Sequence, residues 1–353
     1  MRKTNIAIFL IAVMVFAATF LLSLVSFPES DESDSNQDPR TTAGSSHMES
    51  DFKVPKSGIH TFIGKQVSEI TRDLGEPERI DPTPFGYEWY IYGRNSERYL
   101  QIGIDNQTQR VTTIYALGKE LSIPPFKMGE ASQKVYSQVR VSDTPSLNYR
   151  GTSIHFELNE EDMMVRPLIK FGKGWVQLNF DHVTDRLAGV RYMTTKVLAE
   201  QHPYSMTYSG QLPSPQETLN DKEWETVNQA EDKQILDMSN VFRKRFHLEP
   251  LRWSEAAHRA AYKHSREMYT KKYFSHDSKW SGDLSARLKR ENIRFRAAGE
   301  NIAAKYPDAV AVTLGWLNSI DHRKNLLSDM YTELGVGSYK NFYTQDFVTP
   351  QDF

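Results

Sequence analysis

AAGENIAAKY, residues 297–306, sets a carboxylate and an amide, Glu300 and Asn301, behind a glycine inside an alanine-rich stretch. Small apolar neighbours indicate close packing, and a charge in such surroundings is costly unless it is paired. Gly299 reads as the glycine of a tight turn that carries Glu300. Two more polar clusters break the apolar pattern nearby, YFSH at 273–276 and DHRKN at 321–325. Between them run amphipathic helices. Ile235, Met238, Val241 and Phe242 form one stripe, and Ser254 is placed to cap a second helix with Ala257, Ala261, His264 and Met268 along one side. Pro307 fits the first position of a third helix carrying Val310, Leu314, Trp316 and Leu317. LGVG (334–337) and FYTQDFV (342–348) read as strands. Helices alternating with strands over 229–353 indicate a compact layered domain.

Upstream, YLQIGIDNQTQRVTTIYALG (99–118) aligns without a gap to WVQLNFDHVTDRLAGVRYMT (175–194). Asp105 matches Asp181, Thr108 matches Thr184 and Arg110 matches Arg186. Each copy alternates apolar and polar residues around a polar turn, which is the pattern of a β-hairpin. A short helix opens each copy, in 63–77 and 128–140. The expectation is an α+β protein of two domains, the first (59–196) a pseudo-symmetric helix-plus-hairpin repeat. The aromatic segment GYEWYIYG (86–93) reads as strand core, with an exposed protein-partner surface as the alternative. Residues 197–228, with Pro203, Pro213 and Pro215, read as a linker.

Arg2 and Lys3 precede Ile6–Phe27, an uncharged run that as a helix would span roughly 33 Å, enough for a bilayer core. Glu29, Asp31, Glu32 and Asp34 follow it. The flanks place residues 1–5 in the cytoplasm and the rest outside, with 6–27 as an uncleaved anchor and a cleaved signal sequence as the alternative. Residues 28–58 read as a disordered polar stalk. With 43 Lys and Arg against 45 Asp and Glu, no global field points to nucleic acid. The chain has no cysteine, which excludes disulfides, thiolate catalysis and cysteine-type zinc sites. The basic stretch with Arg287, Lys289, Arg290, Arg294 and Arg296 reads as solvated surface.

The order YFSH, GENIA, W-x-x-S-x-x-H-R-x-N-L-L, LGVG and YTQDF resembles the CAP superfamily, which includes cysteine-rich secretory proteins, venom antigens and plant pathogenesis-related proteins. The resemblance is to its cysteine-free bacterial branch, and residues 59–196 are similar to the domain found in front of some bacterial CAP modules. It implies an α-β-α sandwich over 229–353 with a large cleft. In eukaryotic members two histidines and two glutamates of that cleft hold a divalent cation such as zinc. Carried over by position, His276, Glu300 and His322 supply three of the four. The fourth falls on Ser319, a far weaker ligand, and Asp321 stands where it either compensates or orients His322.

The resemblance implies an exported, membrane-tethered module whose cleft (His276, Glu300, Ser319, Asp321, His322) binds a small lipid, a peptide or a cell-wall fragment. A hydrolase is the rival, with Glu300 and His322 as the catalytic pair. A protein-interaction role for 59–196 is the third. His264 reads as a satisfied core histidine, and Arg323 and Asn325 as anchors of the cleft rim.

Overall fold

The computed structural model describes residues 53–214 and 218–351. The tail, the apolar run and the stalk up to residue 52 lie outside the described residues. Among those described, no helix is long and apolar enough to cross a membrane.

The N-terminal domain contains α1 (Val67–Leu74), β1 (Arg79–Pro82), β2 (Tyr87–Tyr92), β3 (Leu100–Asp105), β4 (Val111–Ala116), α2 (Ser132–Tyr136), β5 (Ser146–Tyr149) and β6 (Thr152–Glu157). It continues with α3 (Glu160–Val165), β7 (Leu168–Phe171), β8 (Gly174–Asp181), β9 (Arg186–Met193), α4 (Thr195–Gln201) and β10 (Ser205–Ser209). Seven strands form one sheet in the order β1-β2-β3-β4-β9-β8-β7, so the two repeated hairpins lie side by side through antiparallel β4 and β9. The copies agree in detail. Asp105 Oδ1 accepts from the Gln107 and Thr108 N–H groups, and Asp181 Oδ1 accepts from Val183 and Thr184. Each hairpin carries a register shift at the matching place, Gly103/Ile104 and Asn179/Phe180. Arg110 donates to Gly64 O as Arg186 donates to Gly129 O. An aspartate that satisfies turn N–H groups is a local device, and so it survives duplication.

Two boundaries differ from the sequence reading. The stretch 197–228 is not a linker: α4 runs into it, β10 pairs with β6 over Ser205–Ser209, and the next helix starts at Asp221. Pro203 and Pro213 lie between these elements rather than inside them. The stalk ends before 58, because His60 Nε2 donates to Pro55 O and Val54 packs on the domain's core.

The second domain is α5 (Asp221–Arg245), β11 (Arg252–Trp253), α6 (Glu255–Lys271), α7 (Leu284–Arg290), β12 (Phe295–Ala304), α8 (Ala309–Asn318), α9 (Ile320–Leu326), β13 (Glu333–Tyr339) and β14 (Phe342–Pro350). Its sheet has the order β11-β13-β14-β12, leaving β12 at an edge. Leu334, Val336 and Phe347 point into the core shared with α5 and α8, while Val348 packs with Ala257 and Ala260 of α6 and Leu288 of α7. Helices thus cover both faces, an α-β-α sandwich. Asn220 caps α5 through a reciprocal pair with Glu223. Ser254 precedes α6 but its hydroxyl makes no cap bond. Pro307 lies one residue outside α8, whose N-cap is Asp308, accepting from Ala311 N–H.

LGVG explains how closely α6 approaches β13. A Cβ on Gly337 would lie 1.9 Å from Tyr262 N, and one on Gly335 2.1 Å from His258 N. Backbone cannot yield as a side-chain tip does. Gly337→Ala is therefore expected to cost about 2–3 kcal/mol, at the upper end for overpacking, read as a shift of the urea midpoint. An unchanged midpoint would mean that α6 slides outward freely.

Candidate functional site

Gly299 and Glu300 are not in a turn. They sit in mid-strand on β12, with Glu300 opposite Asp346 and Asn301 opposite Gln345 on β14. Alternation sends the two neighbours to opposite faces. The glycine is needed for approach rather than for bending, since a Cβ there would fall 2.3 Å from Tyr331 Oη and 2.9 Å from Asn325 Oδ1.

Glu300 faces α6 and α7, and both its oxygens are engaged. Arg287 Nη2 donates to Oε2 at 2.5 Å, and His276 Nδ1 lies 2.7 Å from Oε1. Burial alone would raise the Glu300 pKa; the Arg287 charge and the His276 hydrogen bond outweigh it and hold the carboxyl at about 2. An ionised carboxylate only accepts, so the His276 proton is on Nδ1. Arg287, read from sequence as solvated, is 4 % exposed. It also donates to the carbonyls of His276 and Gly282, fixing the 273–282 loop over the strand. His264 is buried beside this group, its Nε2 donating to Ser275 O at 3.1 Å and lying 3.9 Å from Glu300. Burial first, then the Arg287 charge, lower its pKa, and the nearby carboxylates only partly offset them, leaving it at about 4.

Asp346 was missed in the sequence, where it reads as one polar residue of a strand. It is fully buried, and among the described residues neither oxygen receives a donor, its carboxyl facing Glu300. Burial and the neighbouring Glu300 charge push its pKa well above the ordinary 3.8. Two carboxyls and one guanidinium thus share a dry space, and the proton resides on Asp346. The folded state binds a proton that the unfolded state lacks, from about 3.8 upwards. The resulting stabilisation is full below that pH and is lost as pH rises through the folded-state value. Asp346→Asn, which cannot ionise and offers an N–H to Glu300, is expected to be more stable than the parent at pH 8 by about 1–2 kcal/mol. The gap should close below pH 4. Parallel urea curves at the two pH values check this, and a gap independent of pH would show that Asp346 does not titrate.

On the other face, Asn301 Nδ2 donates to His322 O and to Gln345 Oε1, and Gln345 Nε2 donates to Ser239 Oγ on α5. Asn325 Nδ2 donates to Glu300 O and Asn301 Oδ1, so α9 closes the edge of β12. His322 Nδ1 lies 2.8 Å from Ser319 Oγ. Burial, then the nearby His276, lower the His322 pKa to about 4, so it is neutral at pH 7. Asp321 does not orient His322: its carboxylate takes Lys324 Nζ at 2.8 Å. Phe274, Trp280 and Ile320 stand exposed beside the two histidines in sequence.

The structure thus joins His276 to Glu300 and Ser319 to His322, with His276 near enough to lower the His322 pKa. These residues do not fit a divalent cation. Arg287 already occupies one oxygen of Glu300, the His276 N–H occupies the other, and the fourth position is a hydroxyl turned to His322. Among the described residues no three His, Asp or Glu side chains converge as a metal would need. In the aromatic segment 86–93, Tyr87, Trp89, Ile91 and Tyr92 are buried, as strand core should be.

The geometry defines a class: an α-β-α sandwich of CAP type with a histidine and glutamate cluster at its edge strand, preceded by a duplicated α+β domain. Residues 236–353 match the model of the cysteine-rich secretory protein family, CAP, and 63–204 match the CAP-associated N-terminal domain. The chain is 37% identical over 346 residues to the "Uncharacterized membrane protein YlbC" of Bacillus subtilis, covering 98% of this chain and 99% of that one. A crystal structure of "an extracellular protein containing a SCP domain" from Bacillus anthracis is 36% identical and superposes with a TM-score of 0.79, covering 91% of this chain and 99% of that one. A cysteine-rich secretory protein from Staphylococcus aureus, 23% identical over 83% of this chain and 96% of that one, shares the fold with a TM-score of 0.72. The protein belongs to the CAP family and carries the family's CAP-associated N-terminal domain.

Proposed function

We propose that the protein is an exported, membrane-tethered binding module whose cleft takes a small amphipathic molecule of the cell envelope. The observation that carries this is the locked state of Glu300. With both oxygens engaged by Arg287 and His276, the carboxylate is a fixed support. His276 and His322 are part-buried, and Phe274, Trp280 and Ile320, close to them in sequence, are exposed. Such a surface suits an apolar portion joined to a hydrogen-bonding head. Export is supported by the basic-then-apolar N-terminus and by the names of the relatives, one a membrane protein and one extracellular.

Titrating the full chain in detergent with short-chain phosphatidylglycerol, a hydrophobic tripeptide and muramyl dipeptide, followed by Trp280 fluorescence, tests the reading. One of the three should saturate and weaken at least about tenfold, or 1.4 kcal/mol, in His276→Ala/His322→Ala. Equal response of parent and double variant to all three would sink it.

One contact favours a hydrolase as the second reading. Ser319 Oγ is within hydrogen-bond reach of a neutral His322, which is the first requirement of an activated serine. Among the described residues no carboxylate accepts a hydrogen bond from that imidazole, and Glu300 is paired with Arg287 and His276. A fluorophosphonate probe that labels Ser319, and stops doing so in His322→Ala, would establish this reading; absence of labelling would remove it.

A further inference from the structure

The corner carrying Ser319 and His322 is held from the other domain. Asn318 and Arg323 bracket the four residues between them. Asn318 Oδ1 accepts from His182 N–H at 2.9 Å, and its Nδ2 donates to Phe180 O at 2.8 Å. Arg323 donates through Nη1 to Asp181 Oδ1 and through Nη2 to Oδ2, both at 2.9 Å, and Nη1 also reaches Leu317 O. The arginine and aspartate side chains are 11% and 6% exposed. Phe180, Asp181 and His182 form the tip of the β8–β9 hairpin. In the first copy of the repeat, Asp105 makes the same turn bonds, but its outer oxygen takes Lys196 of its own domain at 2.6 Å. A device that both copies need locally is used in one copy for a second purpose.

We infer that the tip of the second hairpin is the positioning element of the cleft: Asp181, acting through Arg323, together with the Asn318 contacts, determines where Ser319 and His322 stand. The state of the N-terminal domain therefore reaches the ligand site through this corner. The parallel guanidinium–carboxylate pair gives direction as well as attraction, which a single-point contact does not. The functional meaning rests on the cleft reading above; the positioning itself does not.

Asp181→Asn in the full chain keeps an oxygen for the Val183 and Thr184 N–H groups and removes the charge from Arg323. Asp105→Asn makes the same change at the matching turn and serves as control. The readouts are the His322 titration by NMR and the affinity for phosphatidylglycerol, the tripeptide and muramyl dipeptide. In Asp181→Asn the corner should loosen and wet, so that His322 titrates about one unit or more higher. Asp105→Asn should leave His322 as in the parent. If Asp181→Asn does not fold, Asn318→Ala removes the other bracket and should move His322 in the same direction. A His322 titration identical in the parent and in a folded Asp181→Asn or Asn318→Ala overturns the inference. A shifted His322 with unchanged binding of all three probes supports the positioning and removes the cleft reading instead.

Discussion

Arg287→Met should lower the stability of the protein by about 3–5 kcal/mol, the loss typical of removing one partner from a buried ion pair. Among the described residues the arginine is the one full positive charge in contact with Glu300, and Asp346 lies directly across the strand pair. Methionine fills much of the volume but leaves two carboxyls facing each other without a cation. It also frees the carbonyls of His276 and Gly282, so the 273–282 loop loses its tether. The expected fall in Tm is roughly 10 °C or more. The origin of the loss separates this account from simple cavity formation. Arg287→Met/Glu300→Gln should recover more than half of it, because the uncompensated charge is then gone. If the double variant is as unstable as the single one, packing and not charge is what Arg287 provides.

Arg191→Met is expected to be comparably severe, again about 3–5 kcal/mol. Here the buried cation lies between domains: Arg191 on β9 reaches Asp308 at 2.7 Å and Tyr87 Oη at 3.2 Å. Asp308 caps α8, and Gln201 Nε2 donates to Tyr87 Oη at 3.0 Å. Burial and the Asp308 charge already push the Glu231 pKa well up, so the pocket has no spare capacity for negative charge. Without the guanidinium, the Asp308 carboxylate is left without its ion-pair partner beside the already raised Glu231. A carboxyl raised in the folded state costs stability as pH rises, so the deficit of the variant should be larger at pH 8 than at pH 5. Denaturation of parent and variant at both pH values checks the sign. A deficit equal at the two values would show that Asp308 keeps its charge by another route.

Much of the fold was legible because its signals are local. The duplicated hairpins declared themselves through alternation and through an aspartate placed to accept turn N–H groups. The motifs of the second domain were read in the right order, and the approach of His276 to Glu300 followed from them. What escaped depends on pairing across the sheet. Asp346 is one polar residue in FYTQDFV until β14 is laid against β12 with Glu300 opposite it. Arg287 belongs to a basic run whose other members are solvated, and no periodicity marks the one that turns inward. Gly299 was given a turn because glycine so often makes one; its actual role is to admit Tyr331 and Asn325 from another element. The linker reading failed for a similar reason: β10 is short and exposed, and its partner β6 lies about fifty residues away.

The central claim is that Glu300 is a neutralised support for His276 and not a ligand waiting for a cation. Calorimetric titration of the full chain with zinc, beside His276→Ala/His322→Ala, tests it most directly. The account predicts no saturable binding tighter than about the millimolar range (−4 kcal/mol), with the two proteins indistinguishable. One-site micromolar binding in the parent, abolished in the double variant, would contradict it and would mean that Arg287 yields its place on Glu300 to the metal.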